Sequence, residues 1–213
     1  MAKIKQGILG GFSGRVGNVV GSSWKGIGVM KSLPLSVANP KTTGQVAQRT
    51  KFSSCLAIAQ SYTTGIIKKF WNRFAVKMSG FNDFMSNNVG NFAADGTPTY
   101  ANLLFSKGAI GVQPILSATA SLSHGGADIT WDHFDLPENA TNDDIMNVAI
   151  INETKGEQDE YALDTYKRSD DTMTVPFPAT WELGDTLHFY LISRRTDGTV
   201  VSDTAYATSD VVA

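Results

Sequence analysis

Three histidines, one cysteine and twenty acids are the side chains of this 213-residue sequence best suited to chemistry. His133 stands between Asp132 and Asp135, which offers an imidazole and two carboxylates to a cation or to proton transfer. Asp143-Asp144 and Asp170-Asp171 are carboxylate pairs of the kind a surface Ca²⁺ takes. None belongs to an Asp-x-Asp-x-Asp-Gly run, and aspartate is common in turns because its side chain bonds its own backbone. His124, His133 and His188 fall in different predicted elements, without the i, i+4 or short-loop spacing of a zinc pair. His188 alternates with Leu187 and Phe189, which reads as a solvent-facing strand position. Cys55 lies on an apolar helical stripe as a packed thiol, and the first histidine is His124, far along the chain. The run Gly11-Phe12-Ser13-Gly14-Arg15-Val16-Gly17 suggests a phosphate loop but lacks the closing Gly-Lys-Ser/Thr. It also lacks the acid that a dinucleotide fingerprint needs about twenty residues on, and it misses the Gly-x-Ser-x-Gly elbow. Acid-rich turns likewise account for the carboxylates that glycoside hydrolysis would pair. No residue is assigned to catalysis, a cofactor or a metal, and the chain reads as a non-enzyme.

The charge layout is more specific than the net charge of −2. Residues 1–82 hold twelve bases and no acid; the remainder holds twenty acids and six bases, so the two parts carry +12 and −14. Such asymmetry implies a separate partner for each part, or copies that meet basic end to acidic end. Nucleic acid is the sharper reading of residues 1–82. The bases are spread singly and not in Lys/Arg runs, which favours attraction between subunits. One cysteine excludes an internal disulfide framework and suits a reducing compartment. Neither a signal peptide nor an 18-residue apolar run stands out, so the reading is a cytoplasmically made protein without a membrane span.

Three regions carry these residues. Residues 1–38 form a Gly-rich arm: eight of the first twenty-eight residues are glycine, interleaved with β-prone Phe12, Val16, Val19, Val20, Trp24, Ile27, Val29 and Met30. Lys25-Gly26 is the expected hairpin tip. A strand so poor in side chains is weak alone, so another subunit is expected to complete it. Residues 39–112 form a basic helical block and connector. Pro40 and the Thr42-x-x-Gln45 spacing start a helix whose stripe is Val46, Phe52, Cys55, Leu56, Ala59 and Tyr62. Gly65 is expected to break it. Ile66, Ile67, Phe70, Trp71, Phe74 and Met78 make a second stripe, and Phe81, Phe84, Met85 and Val89 a short third. Residues around Tyr100–Phe105 are expected as a connector with one strand. From residue 113 to 213 the period becomes two. Seven strands, near 115–122, 127–134, 145–152, 161–166, 172–175, 186–195 and 200–207, point to an acidic antiparallel β-sandwich. The fold class is α+β: a Gly-rich β-hairpin, two or three α-helices, then the sandwich.

Two resemblances follow. Trp131 in an early strand, with Phe189-Tyr190-Leu191-Ile192-Ser193 and the Asp197-Gly198 turn late, resembles a fibronectin type III or immunoglobulin-like module. The order Gly10-Gly11-Phe12-Ser13-Gly14-Arg15-Val16-Gly17-Asn18, Trp24-Lys25-Gly26, Asn39-Pro40-Lys41-Thr42, Gln45, Arg49 and Phe52, with Trp181-Glu182-Leu183-Gly184-Asp185 later, resembles a family of Bacteroidota and their phages. That family is similar to small proteins of phage structural-gene clusters. It carries over no catalytic residue; it implies a virion structural role and virion localisation.

The expectation is therefore a structural protein of a phage or phage-like particle, at tail, neck or capsid surface. It would assemble with copies of itself and other virion proteins through the arm, at Phe12, Arg15, Trp24, Met30, Asn39 and Pro40, and display an Ig-like domain. A nucleic-acid-binding module, an enzyme with a site between helices and sandwich, and a binding module outside any virion are the rivals.

Overall fold

Two apolar runs organise the larger part of the protein, Ile145–Asn152 and Thr186–Arg194, and they pair antiparallel from Leu187↔Asn152 to Arg194↔Ile145. Nearly every residue of both strands is buried. Burial on both faces removes the need for polar alternation. One face carries Val148, Ile150, Leu187, Phe189 and Leu191 into a core with Ile129, Trp131, Met173, Val175 and Trp181. The other carries Ala149, Ile151, Tyr190 and Ile192 into a core filled by helical residues.

The computed structural model describes residues 3–4, 11–36, 39–123 and 125–213; Lys5, Gly7, Ile8, Leu9, Gly10 and His124 of the sequence reading lie outside them. The chain forms two compact units, Met1–Thr42 and Thr43–Ala213. Unit one is a four-stranded antiparallel sheet of β1 (Lys3–Ile4), β2 (Phe12–Val16), β3 (Val19–Trp24) and β4 (Ile27–Ser32), in that order.

Unit two begins with α1 (Thr43–Ser61), a π-helix (Thr63–Trp71) and α2 (Gly80–Asn88). The strands are β5 (Ser117–Ser121), β6 (Gly126–Thr130), β7 (Ile145–Asn152), β8 (Glu157–Lys167), β9 (Thr172–Pro176), β10 (Thr186–Arg194) and β11 (Ala205–Val212). They form one sheet in the order β8-β7-β10-β11-β5-β6-β9. The expected all-antiparallel arrangement is corrected: β11 pairs parallel with β5 at Val211↔Ala120 and Val212↔Ser121, so the sheet is mixed. The hydroxyls of Tyr161 and Tyr166 donate to the carbonyls of Pro176 and Thr174. These bonds draw the outer strands β8 and β9 together, and the sheet is nearly barrel-shaped.

The helical block and the β-rich region, read from sequence as separate, share one unit because the helices supply one of the two cores. Gly65 does not break the helical run. The chain continues as a π-helix, in which Ile67 N–H donates to Tyr62 O at 2.9 Å and Asn72 N–H to Ile67 O at 3.1 Å. A Cβ on Gly65 would fall 1.9 Å from the Glu160 carboxylate, which accepts from Ile66 N–H at 2.9 Å. The glycine makes room for that acid. Cys55 is buried in the same core, and burial pushes its thiol from 9.0 to about 11, as befits an inert packing group. Val46 and Phe52, expected on the buried stripe, are exposed on the first turns of α1.

The connector strand expected near Tyr100–Phe105 is a 3₁₀ turn, Tyr100–Asn102, followed by an extended stretch with Leu103 and Phe105 buried. Asn88 substitutes for a partner strand there. Its amide nitrogen donates to Leu104 O at 2.9 Å, and its amide oxygen accepts from Leu104 N–H at 2.7 Å. Asn88→Ala should therefore lower unfolding free energy by about 1–3 kcal/mol in urea titration, because the N–H and C=O of part-buried Leu104 both lose their partner.

Candidate assembly interface

The arm sheet is built from two tight hairpins. Lys25 (φ 49°) and Gly26 (φ 84°) join β3 to β4, with Trp24 paired to Ile27. Positive φ at both central residues matches the right-handed twist of the flanking strands. Gly17 (φ 57°) lies in the turn between β2 and β3, where Arg15 Nε donates to its carbonyl at 2.9 Å. A Cβ on Gly21 would fall 2.6 Å from the Phe12 ring, so glycine there lets Phe12 lie against the sheet. Gly11 and Gly28 also approach, less closely: a Cβ on Gly28 would sit 3.3 Å from Gly11 Cα.

Register divides the expected interface residues between two faces. Gly14↔Gly21↔Met30 and Val16↔Val19↔Ser32 place Phe12, Val16, Val19 and Met30 on one. Arg15↔Val20↔Lys31 and Trp24↔Ile27 place Arg15, Trp24, Ile27 and Lys31 on the other. Among described residues 11–36 only Gly21 is buried. Trp24, Ile27 and Met30 are 65%, 62% and 72% exposed, and Phe12 is half-buried. Asn39 and Pro40 are exposed and lie outside the sheet, just ahead of α1, where proline fixes its own φ and keeps Asn39 extended. The expected interface residues did not include Val16, Val19 and Ile27, which are exposed apolar residues on the same two faces. Their signal is the register that a Lys25-Gly26 tip imposes, which puts Ile27 opposite Trp24.

The basic-to-acidic polarity has an internal component. Lys69 pairs with Asp164 at 3.0 Å, Arg194 reaches the same carboxylate at 2.7 Å, and Arg73 donates to Asp197 O at 3.2 Å. Burial raises the Asp164 pKa, but its bonds to Arg194 and Lys69 outweigh that and hold it below the usual carboxylate range. The helices thus spend part of their charge on the acidic sheet beside them. The arm has no such partner within its own sequence.

Of the histidines, His188 corrects the solvent-facing expectation: it is buried, because the second face of β10 is covered. Its ring stacks on Tyr100 at 3.9 Å and 9°, Nδ1 meets the Tyr206 hydroxyl at 2.9 Å, and Nε2 meets Glu153 at 3.0 Å. Burial raises the pKa of Tyr206 and of Tyr100, so both hydroxyls stay protonated at neutral pH. His133 meets Asp171, not the neighbouring Asp135 of the sequence reading. A cavity of about 190 Å³ lies between β8 and β9, lined by Met146, Tyr161, Tyr166, Met173, Val175 and Pro176 among others; neither histidine lines it. Among the described residues no helix is long and apolar enough to cross a membrane.

The model of a family of unknown function, DUF6266, matches residues 11–208. The chain belongs to that family. The DUF6266 match opens just ahead of β2 and closes within β11, so it takes in the exposed arm and the mixed sheet alike. No curated protein matches this DUF6266 chain.

Proposed function

We propose that this protein is a structural, non-enzymatic component of a phage or phage-like particle, assembling through residues 1–42 and displaying its β-rich unit. The observation that supports it is the arm: a thin sheet with apolar side chains exposed on both faces and, among described residues 11–36, a single buried residue. Isolated sheets of this kind are marginal in water, and clustered exposed apolar residues mark contact surfaces. Among the described residues, the buried members of both cores come from Cys55 onward. The setting in a virion rests on the resemblance of the Gly-rich opening and the Asn39-Pro40-Lys41-Thr42 start to small phage structural proteins. The displayed unit is proposed to be an immunoglobulin-like sandwich. Strand order supports this: β8-β7-β10-β11 and β5-β6-β9 are each antiparallel runs, joined by the parallel β11–β5 pair, and would be the two layers of the sandwich.

Tryptophan fluorescence tests the arm's role. Trp71, Trp131 and Trp181 are buried, and Trp24 is the exposed tryptophan. At nanomolar protein, acrylamide is expected to quench one component, which Trp24→Phe removes. At assembly concentrations that component should become protected. A Trp24 equally quenchable at all concentrations counts against the reading.

A nucleic-acid interface is the second reading, favoured by one feature: Trp24, Arg15 and Lys31 share a face, an aromatic amid bases. Bases stack on exposed aromatics, and phosphate contacts weaken steeply with salt. Quenching of Trp24 by single-stranded DNA that vanishes between 50 and 300 mM salt would select it.

A further inference from the structure

We propose that Asp132, His133 and Asp171 form a binding site for a divalent transition-metal ion of the zinc class. One ligand atom from each lies within 4.8 Å of the other two. The cluster is assembled by strand pairing. Thr130↔Thr172 in the β6–β9 ladder sets the residues after β6 beside those before β9, across 38 residues of sequence.

Each carboxylate has one oxygen bonded to the backbone. Asp171 Oδ1 accepts from His133 N–H at 2.8 Å, and Asp132 Oδ1 accepts from Phe134 N–H at 2.8 Å. That leaves an Oδ2 on each, with His133 Nδ1 lying 2.6 Å from Asp171 Oδ2. The ring is held against Phe134 at 3.8 Å between centroids. Gln113 donates to Asp132 O at 3.0 Å and Trp131 N–H to Asp171 O at 3.0 Å, so the main chain on both sides is fixed as well. Asp171 sits at φ 59°, a left-handed conformation that glycine or asparagine adopts more readily. Outer bonds of this kind orient metal ligands before the ion arrives.

The donor set selects the ion. An imidazole nitrogen suits zinc, cobalt or nickel and disfavours calcium and magnesium, which take oxygen donors. Two carboxylates and a neutral imidazole balance a 2+ charge. The ion would take the place of the hydrogen bond between His133 Nδ1 and Asp171 Oδ2. Three protein ligands leave a coordination position for water, as in open zinc sites.

Isothermal titration of the full chain with ZnCl₂ is the test, repeated with CaCl₂. One Zn²⁺ per chain is expected, bound at least tenfold more tightly than Ca²⁺. Asp171→Asn keeps a residue that tolerates the left-handed backbone, and with His133→Gln it should weaken Zn²⁺ by tenfold or more while circular dichroism is unchanged. Asp135→Asn, outside the cluster, should bind as wild type. Absence of Zn²⁺ binding, equal affinity in the Asp171 and His133 variants, loss in Asp135→Asn, or a preference for Ca²⁺ would each overturn the site.

Discussion

Asp144→Ala is expected to lower the unfolding free energy by about 3–5 kcal/mol, the cost of stranding a buried charge. Asp144 and Arg168 are both fully buried, with Arg168 Nη2 and Asp144 Oδ2 3.6 Å apart. The other partners of the guanidinium are neutral: Gln113 Oε1, Ser193 Oγ at 2.9 Å and Thr141 O at 3.2 Å. Burial pushes the Arg168 pKa below its ordinary value and Asp144 opposes that, so the carboxylate is what keeps the cation tolerable there. Asp144 also accepts from Thr141 N–H at 2.8 Å and Thr141 Oγ1 at 2.7 Å, closing the turn into β7. Its loss therefore uncovers both a charge and a turn. The double variant Asp144→Leu/Arg168→Met should recover part of the loss, because both fully buried charges go together; the rest stays lost because Arg195, whose Nε lies 3.5 Å from Asp144 Oδ1, keeps no carboxylate there. Guanidinium unfolding with an unchanged slope reads the difference. A single-variant loss under about 1 kcal/mol would mean that the neutral partners suffice.

The same pair shows where sequence reading stops. Asp143-Asp144 and Asp170-Asp171 read as turn acids, and Asp143 is one: it is exposed and pairs with Lys167 on the surface. Nothing in the local pattern separates it from Asp144, which is buried because Arg168 follows the end of β8 into the interior. Helical segments, the hairpin tip at Lys25-Gly26 and most strand positions were legible because each rests on spacing within a few residues; the seventh strand, expected at 200–207, is instead Ala205–Val212, with Val201 and Ser202 in isolated bridges. His188 was misread because alternation assumes one wet face, and the wet face of β10 is covered by residues from the helical block and by Tyr100. The parallel pairing of β11 with β5, and the meeting of His133 with Asp171, are long-range registers that no local period encodes.

Met30→Lys is expected to weaken self-association by about 30-fold or more, since a buried anchor lost to a charge costs roughly 2 kcal/mol or more. Met30 lies on the edge strand β4, opposite Gly21, on the face that also carries the half-buried Phe12. Lysine fits the strand and remains soluble, so a folded arm should persist while its apolar face gains a cation. Trp24→Ser on the opposite face separates two assembly geometries. Similar losses from both variants imply an arm covered on both sides by neighbours. A loss from Met30→Lys alone implies that one face is docked and that Trp24 faces solvent or another partner. Sedimentation velocity across protein concentration distinguishes these outcomes.

The most direct test is the mass in solution of the full chain and of residues 43–213, by light scattering at low and high salt. Unit two holds both cores, so the shortened chain should fold. The account predicts an assembly of defined mass for the full chain and a monomer for residues 43–213. Dissociation at high salt would add that the opposed charges of the two parts drive it. A full chain that stays monomeric at both salts, and at every concentration reached, would contradict assembly through the arm.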